Sequence, residues 1–130
     1  MPLVRISVPA STPGDTVRGL ADAVHDAMVE TVDVPPTDRF QVITRHDADH
    51  LMIDRTYFGV TRSAAAVIVQ IAFRRGRTDV QKRALYRAIT DKASAGAKLK
   101  PADIMVVLTE NERIDWSFGD GVAQMAPEPT

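Results

Sequence analysis

The sequence predicts an α/β (α+β) architecture: a four-stranded mixed sheet built from duplicated β-α-β units, with two helices on one face. Three observations predict it. The chain repeats itself, because a displacement of 65 residues without a gap lays Leu20, Ala23 and Val24 on Leu85, Ala88 and Ile89. The same displacement lays Pro36, Thr37 and Asp38 on Pro101, Ala102 and Asp103, and Val42, Ile43 and Thr44 on Val107, Leu108 and Thr109. Val4, Ile6 and Val8 likewise meet Val69, Ile71 and Phe73, so each copy (about 2–45 and about 66–110) opens on an alternating apolar run. A chain of 130 residues is of single-domain size.

Leu3 to Pro9 alternates between Val4, Ile6 and Val8 on one side and Leu3, Arg5 and Ser7 on the other, the period of a half-buried strand. Thr12 is the expected N-cap of the first helix, with Pro13 in its first position and Asp15 in its first turn. Val17, Leu20, Ala21, Val24, Ala27, Met28 and Thr31 then recur at steps of three and four, and Pro35-Pro36 stops the helix by about Asp33. Phe40 to Thr44 is the second strand. Residues 45–63 lack a period and are expected to form a loop with a short helical turn or strand fragment.

Ala64 to Phe73 is apolar enough for a strand buried on both faces. Thr78 and Gln81 form a capping box for a second helix running to about Ala95. Ile104 to Thr109 is the last long strand. Trp116-Ser117-Phe118 is expected in a C-terminal hairpin over about 114–124, followed by a frayed tail. Right-handed crossovers put both helices on one side. The other side of the sheet is then uncovered, and strand residues such as Val4, Ile6, Val69 and Ile71 are expected to pack there on another subunit.

Sixteen basic and seventeen acidic residues leave a formal charge of −1, which gives no electrostatic reason for a nucleic acid or membrane partner. Cysteine is absent, which excludes disulfide and thiol chemistry and fits a reducing compartment. No apolar run approaches the roughly 20 residues of a membrane span, and the N-terminus has no signal-peptide pattern. A cytoplasmic location is the expectation.

Four features carry possible chemistry. The chain opens Met1-Pro2, and removal of Met1 would leave a prolyl α-amine titrating near pH 8, tunable as acid, base or nucleophile; the plainer reading is a common start. Arg74-Arg75-Gly76-Arg77 stands between a strand and a helix N-terminus, a receptor for a carboxylate or else a solvated basic turn. Arg75 and Arg77 share a face if the strand continues, while a slip of one residue exchanges Arg74 for Arg75. Asp38, alone, reads as a turn residue. His46 and His50 are spaced as some zinc ligands are, but lie in a loop segment without a third ligand, so no metal is expected. His25 falls on the polar side of its helix and is expected to be solvated. Gly119-Asp120-Gly121 is turn chemistry, with no phosphate-loop context.

Taken together, the prolyl start, the duplicated β-α-β unit, Pro36-Thr37-Asp38-Arg39-Phe40 before the second strand, the Arg-x-Arg after the third, and Asp115-Trp116-Ser117-Phe118-Gly119 resemble the tautomerase superfamily. Within it they are similar to the malonate semialdehyde decarboxylase group. The resemblance implies Pro2 as the catalytic amine, and Asp38 as the acidic residue that tunes it and activates water. It implies Arg75 and Arg77 as the pair binding a small carboxylate substrate, Trp116 and Phe118 as an apolar wall, no cofactor, and a homotrimer. The activity implied is cofactor-free decarboxylation of malonate semialdehyde or a similar small 3-oxo acid, with hydratase side activity. The alternatives are keto–enol tautomerisation of a phenylpyruvate-like acid, and a non-catalytic assembly protein on the same scaffold.

Overall fold

Two strand–helix–strand units follow one another along the chain: β1 (Leu3–Pro9), α1 (Gly14–Thr31) and β2 (Gln41–His46), then β3 (Val67–Arg74), α2 (Asp79–Gly96) and β4 (Ile104–Asn111). The structure, a computed structural model, describes residues 1–129. The strands form one sheet in the order β2-β1-β3-β4, parallel within each unit and antiparallel where β1 meets β3. The repeat displacement carries α1 onto α2 end for end, Gly14 to Asp79 and Thr31 to Gly96. It also carries Arg5 onto Gln70, and those two residues lie directly opposite each other in the β1–β3 ladder. An approximate two-fold axis therefore passes through the middle of the sheet at Arg5 and Gln70.

Val4, Ile6 and Val8 of β1, with Val67, Val69, Ile71 and Phe73 of β3, meet Leu20, Val24, Met28, Leu85, Ile89 and Ala93 of the helices in a closed core. Burying one such large side chain contributes roughly 1.5–3 kcal/mol. This corrects the expectation that Val4, Ile6, Val69 and Ile71 cover the second face: they point at the helices and are buried within the chain. The open face carries their alternates, Leu3, Arg5 and Ser7, with Ile68, Gln70 and Ala72 beside them. β3 is accordingly buried on one face only, and Gln70 is exposed.

Local chemistry explains the boundaries. The Thr78 hydroxyl accepts from the Gln81 N–H (3.2 Å) and the Gln81 side chain accepts from the Thr78 N–H (3.0 Å), so the expected box closes. Thr12 does not cap α1. Its hydroxyl donates to the Pro9 carbonyl at 2.7 Å, closing the turn after β1, and Pro13 becomes the uncapped N-cap. His25 is also not solvated: it is buried, with Nε2 2.9 Å from the Pro36 carbonyl oxygen.

The segment after β2 is a loop with one short 3₁₀ turn, Tyr57–Gly59, held where the Arg62 guanidinium donates to the carbonyls of Asp54, Tyr57 and Val60. The C-terminal hairpin does not form among the described residues. Gly119, Asp120 and Gly121 take positive φ in succession, which no strand accommodates, and the Gln124 side chain closes the loop instead. Gln124 accepts from the Phe118 N–H and donates to the Gly119 carbonyl, both at 2.9 Å. No helix among the described residues is long and apolar enough to cross a membrane.

The helices meet where α1 presents Gly19. A Cβ there would lie 2.8 Å from the Gly96 carbonyl oxygen and 3.1 Å from the Ala97 Cβ. Glycine costs a helix interior about 1 kcal/mol against alanine, so close approach is the reason it stands there. Gly19→Ala is expected to lower stability by about 1 kcal/mol or more despite its better propensity. Gly14→Ala, with nothing within 4 Å, serves as the unaffected control in urea denaturation.

Candidate active site

Because β1 runs antiparallel to β3 with Leu3 opposite Ala72, the start of the chain arrives beside the end of β3, at the level of Arg74. β2 also begins at this end of the sheet, and β4 finishes there, with Asn111 opposite Arg74. Pro2 is buried at the entrance to β1. Asp38 comes in from the turn before β2, which is tied by the Asp38 N–H to the Pro35 carbonyl (2.9 Å) and by His25 of α1 to the Pro36 carbonyl. Asp38 is only 7% exposed, and neither of its carboxylate oxygens accepts a well-formed hydrogen bond. The ammonium of Met1 lies 3.3 Å from Oδ2, an ion pair without hydrogen-bond geometry.

Three arginines stand near, in three different situations. Arg74 ends β3 on the open face, and its guanidinium has no protein acceptor among the described residues. Arg77 is anchored: Nε and Nη2 donate to the Val32 carbonyl (3.3 and 3.1 Å), Nη1 donates to the Arg74 carbonyl (3.1 Å), and the group stacks 5.1 Å from the centre of the Phe73 ring. Burial, then the neighbouring Arg74 charge, hold its pKa below the usual guanidinium value. Arg75 points elsewhere, its Nε donating to Glu112 at 2.8 Å in an exposed ion pair. The strand stops at Arg74, and Gly76 at φ 129° turns the backbone, so Arg75 and Arg77 do not share a face. The structure thus brings the amino end, Asp38, Arg74 and Arg77 together, and pairs Arg75 with Glu112 instead.

The Met1 amino group is pulled both ways. Burial lowers its pKa most, Asp38 raises it, and Arg77 and Arg74 lower it; the balance falls below the ordinary value of 8.0.

Trp116 and Phe118 belong to a run of three rings. The Trp116 and Phe118 rings stack with centres 5.7 Å apart and planes at 13°, and Phe118 lies 5.9 Å from Phe40. The Trp116 indole N–H donates to Asn111 Oδ1 (2.6 Å), and the Phe40 carbonyl accepts from the Val4 N–H (3.0 Å). The run therefore crosses the sheet end from β4 to the approach of β2. A cavity of about 480 Å³ opens at the same end, with Arg74, Arg75, Asn111, Glu112, Arg113 and Ile114 in its wall. Asn111 was not singled out from the sequence, and Phe40 was read only within the Pro36-Thr37-Asp38-Arg39-Phe40 run and given no place in the apolar wall.

A larger cavity, about 780 Å³, lies at the opposite end of the sheet, between Pro9, His46, Met52 and Ser63. It is the two-fold counterpart of the first end, and the comparison shows which end holds unspent charge. Asp103 is the repeat partner of Asp38, but it accepts from the Ser63 N–H (2.7 Å) and hydroxyl (2.6 Å) and is satisfied. Val67, Pro9 and Thr12 stand where Pro2, Arg74 and Arg77 stand in the other copy. The charged groups without hydrogen-bond partners gather at the Asp38 end, and the wider opening does not mark them.

Known proteins resemble this chain in sequence and fold. Two family models described as tautomerase enzyme match the chain, over residues 38–119 and 2–61. A probable tautomerase of Bacillus subtilis (strain 168), YusQ, is 32% identical over 96% of this chain and 98% of its own length. Among solved structures, a malonate semialdehyde decarboxylase superposes with a TM-score of 0.88 at 32% identity, over 95% of each chain. The FG41 malonate semialdehyde decarboxylase, inhibited by 3-bromopropiolate, does so with 0.87 at 38%, over 94% of this chain and 92% of its own. With a doubled strand–helix–strand fold and an amino end set between a buried carboxylate and guanidinium groups, the chain belongs to the tautomerase superfamily, in its malonate semialdehyde decarboxylase-like group.

Proposed function

We propose that the protein is a cofactor-free decarboxylase of malonate semialdehyde or a similar small 3-oxo acid, working through Pro2 after Met1 is removed. The observation that carries this reading is the meeting, at one sheet end, of the amino end, a buried carboxylate lacking donors, and a guanidinium lacking acceptors. An aminopeptidase step that takes off Met1 shifts the terminus by a single residue within the same cluster and makes it a secondary amine.

Arg74 then binds the substrate carboxylate, in place of Arg75, and Arg77 adds its remaining donors and its charge. Binding sets the breaking C–C bond perpendicular to the carbonyl plane. As that bond breaks, carbon dioxide leaves and the electron pair moves to the carbonyl oxygen as an enolate. A cationic Pro2 stabilises that oxygen as proton donor. Protonation of the enol at carbon completes the aldehyde. In the covalent route neutral Pro2 first condenses with the aldehyde and expels water. The iminium takes up the electron pair as an enamine, and protonation at carbon and hydrolysis free the amine. The rings of Trp116 and Phe118 desolvate the carboxylate and favour release of a neutral gas. Asp38 with a water supports a hydratase side reaction. The open sheet face supports self-association, which we read as a homotrimer.

One observation favours a second reading. In the unprocessed chain the Met1 amino group is held below its usual pKa, chiefly by burial, and a Pro2 amine exposed in the same cluster and left neutral would be a base. In that state the same site suits a keto–enol tautomerase of a phenylpyruvate-like 2-oxo acid. A non-catalytic assembly protein is the outcome if intact mass finds Met1 in place.

Carbon dioxide release from malonate semialdehyde, run beside ketonisation of phenylpyruvate enol, separates the two activities. Pro2→Ala is expected to abolish decarboxylation with the oligomer intact. Arg74→Ala is expected to lower kcat/KM about 100-fold, the cost of a lost charge-assisted contact. Arg75→Ala should stay within about twofold, as expected of an exposed ion pair. Wild-type rates in both Pro2→Ala and Arg74→Ala would dispose of the mechanism. NMR titration of the terminal amine gives an independent reading. The Asp38 carboxylate favours the ammonium, so Asp38→Asn is expected to lower the amine pKa further, and Arg74→Ala, which removes a repelling charge, to raise it.

A further inference from the structure

We infer that Asn111 is an additional substrate-binding residue, which donates a neutral N–H to the carboxylate beside Arg74 on the side away from the amine; this rests on the reading of Arg74 given above. Asn111 lies opposite Arg74 in the parallel β3–β4 register, so both side chains stand on the same face of the sheet. β3 lies between β1 and β4, which places Arg74 between the amino end and Asn111.

The orientation of the amide follows from chemistry. An indole N–H can only donate, so the atom 2.6 Å from Trp116 Nε1 must be the amide oxygen. That contact turns the NH₂ group the other way. It finds no acceptor among the described residues, and Asn111 forms part of the cavity wall with Arg74. Its backbone carbonyl is engaged too, accepting from the Arg75 N–H at 2.7 Å, so main chain and amide oxygen are both fixed. The result is a preorganised donor pair with no protein acceptor beside a guanidinium with none. A carboxylate, with two oxygens and about four lone-pair directions, satisfies both at once. The repeat partner of Asn111 is His46, whose Nε2 lies 2.8 Å from Thr44 Oγ1, a contact within its own strand, so the Asn111 arrangement is not a feature the scaffold imposes on both copies.

Two variants distinguish this role from mere support of Trp116. Asn111→Asp keeps an oxygen for the indole and removes the donors; Asn111→Ala removes both. The probe is malonate, a stable carboxylate of similar length, and binding is read from the fluorescence of Trp116, the single tryptophan. Asn111→Ala is expected to weaken malonate about fivefold, the worth of a neutral hydrogen bond. Asn111→Asp should weaken it more, about 30-fold or beyond, with a loss that persists in 1 M salt, where longer-range repulsion is screened. In turnover, KM should rise while kcat changes little. Malonate binding by Asn111→Asp within about twofold of wild type, at low or high salt, overturns the inference. If Arg74→Ala loses malonate and neither Asn111 variant does, the inference falls and the reading of Arg74 stands. A wild-type protein that neither binds malonate nor turns over the 3-oxo acid brings both down.

Discussion

Leu3 faces Ala72 and Val4 faces Ile71 across the β1–β3 ladder, and this register decides where the charged groups of the molecule meet. A one-residue slip would put Val4, Ile6 and Val8 on the open face and Arg5 in the core, so burial of the apolar set locks the pairing. With the ladder locked, the chain start has to end up beside Arg74, and the parallel partner β4 has to bring Asn111 up on Arg74's other side. The position of the amine is thus a by-product of core packing, and no loop has to be held in place to achieve it.

Asp38 and Asp103 differ in how far the fold satisfies their carboxylates. Both are buried, and they are the same position in the two copies. Asp103 takes two donors from Ser63 and so fastens the end of the long loop to β4. Asp38 receives none of comparable quality, only a nearby ammonium. A buried charge left short of donors is costly by kcal/mol-scale amounts, so its retention asks for a partner outside the fold's own hydrogen-bond network. His25, buried under the Pro36 carbonyl, keeps the turn carrying Asp38 close to α1.

Much of this was legible from residue order, because it rests on periodicity and duplication. The displacement that pairs Leu20 with Leu85 also pairs the helix ends, and the Thr78–Gln81 box is a local device that needs no tertiary context. What escaped was settled by three-dimensional competition. Thr12 had two acceptable jobs, and the turn after Pro9 took its hydroxyl. The face of Val4 and Ile6 could not be chosen from alternation, which names two sides without saying which the helices cover. The arginines depended on a strand end: with β3 finishing at Arg74 and Gly76 swinging the backbone, the two-residue spacing of Arg75 and Arg77 stopped meaning a shared face. Gln124 is a side chain that closes a loop from six residues away, which no pattern of strands would reveal.

The axis through Arg5 and Gln70 has a consequence for what joining the two copies permits. In an assembly of two identical, separate halves, whatever residue sits on the dyad must confront its own duplicate, and an arginine there would face an arginine. Like charges directly opposed in a ladder are destabilising. Covalent linkage frees each half to mutate alone, so a cation can stand across from a neutral amide at the centre of symmetry. Asymmetry at that one point is open to a fused gene and closed to a homodimer of half-length chains.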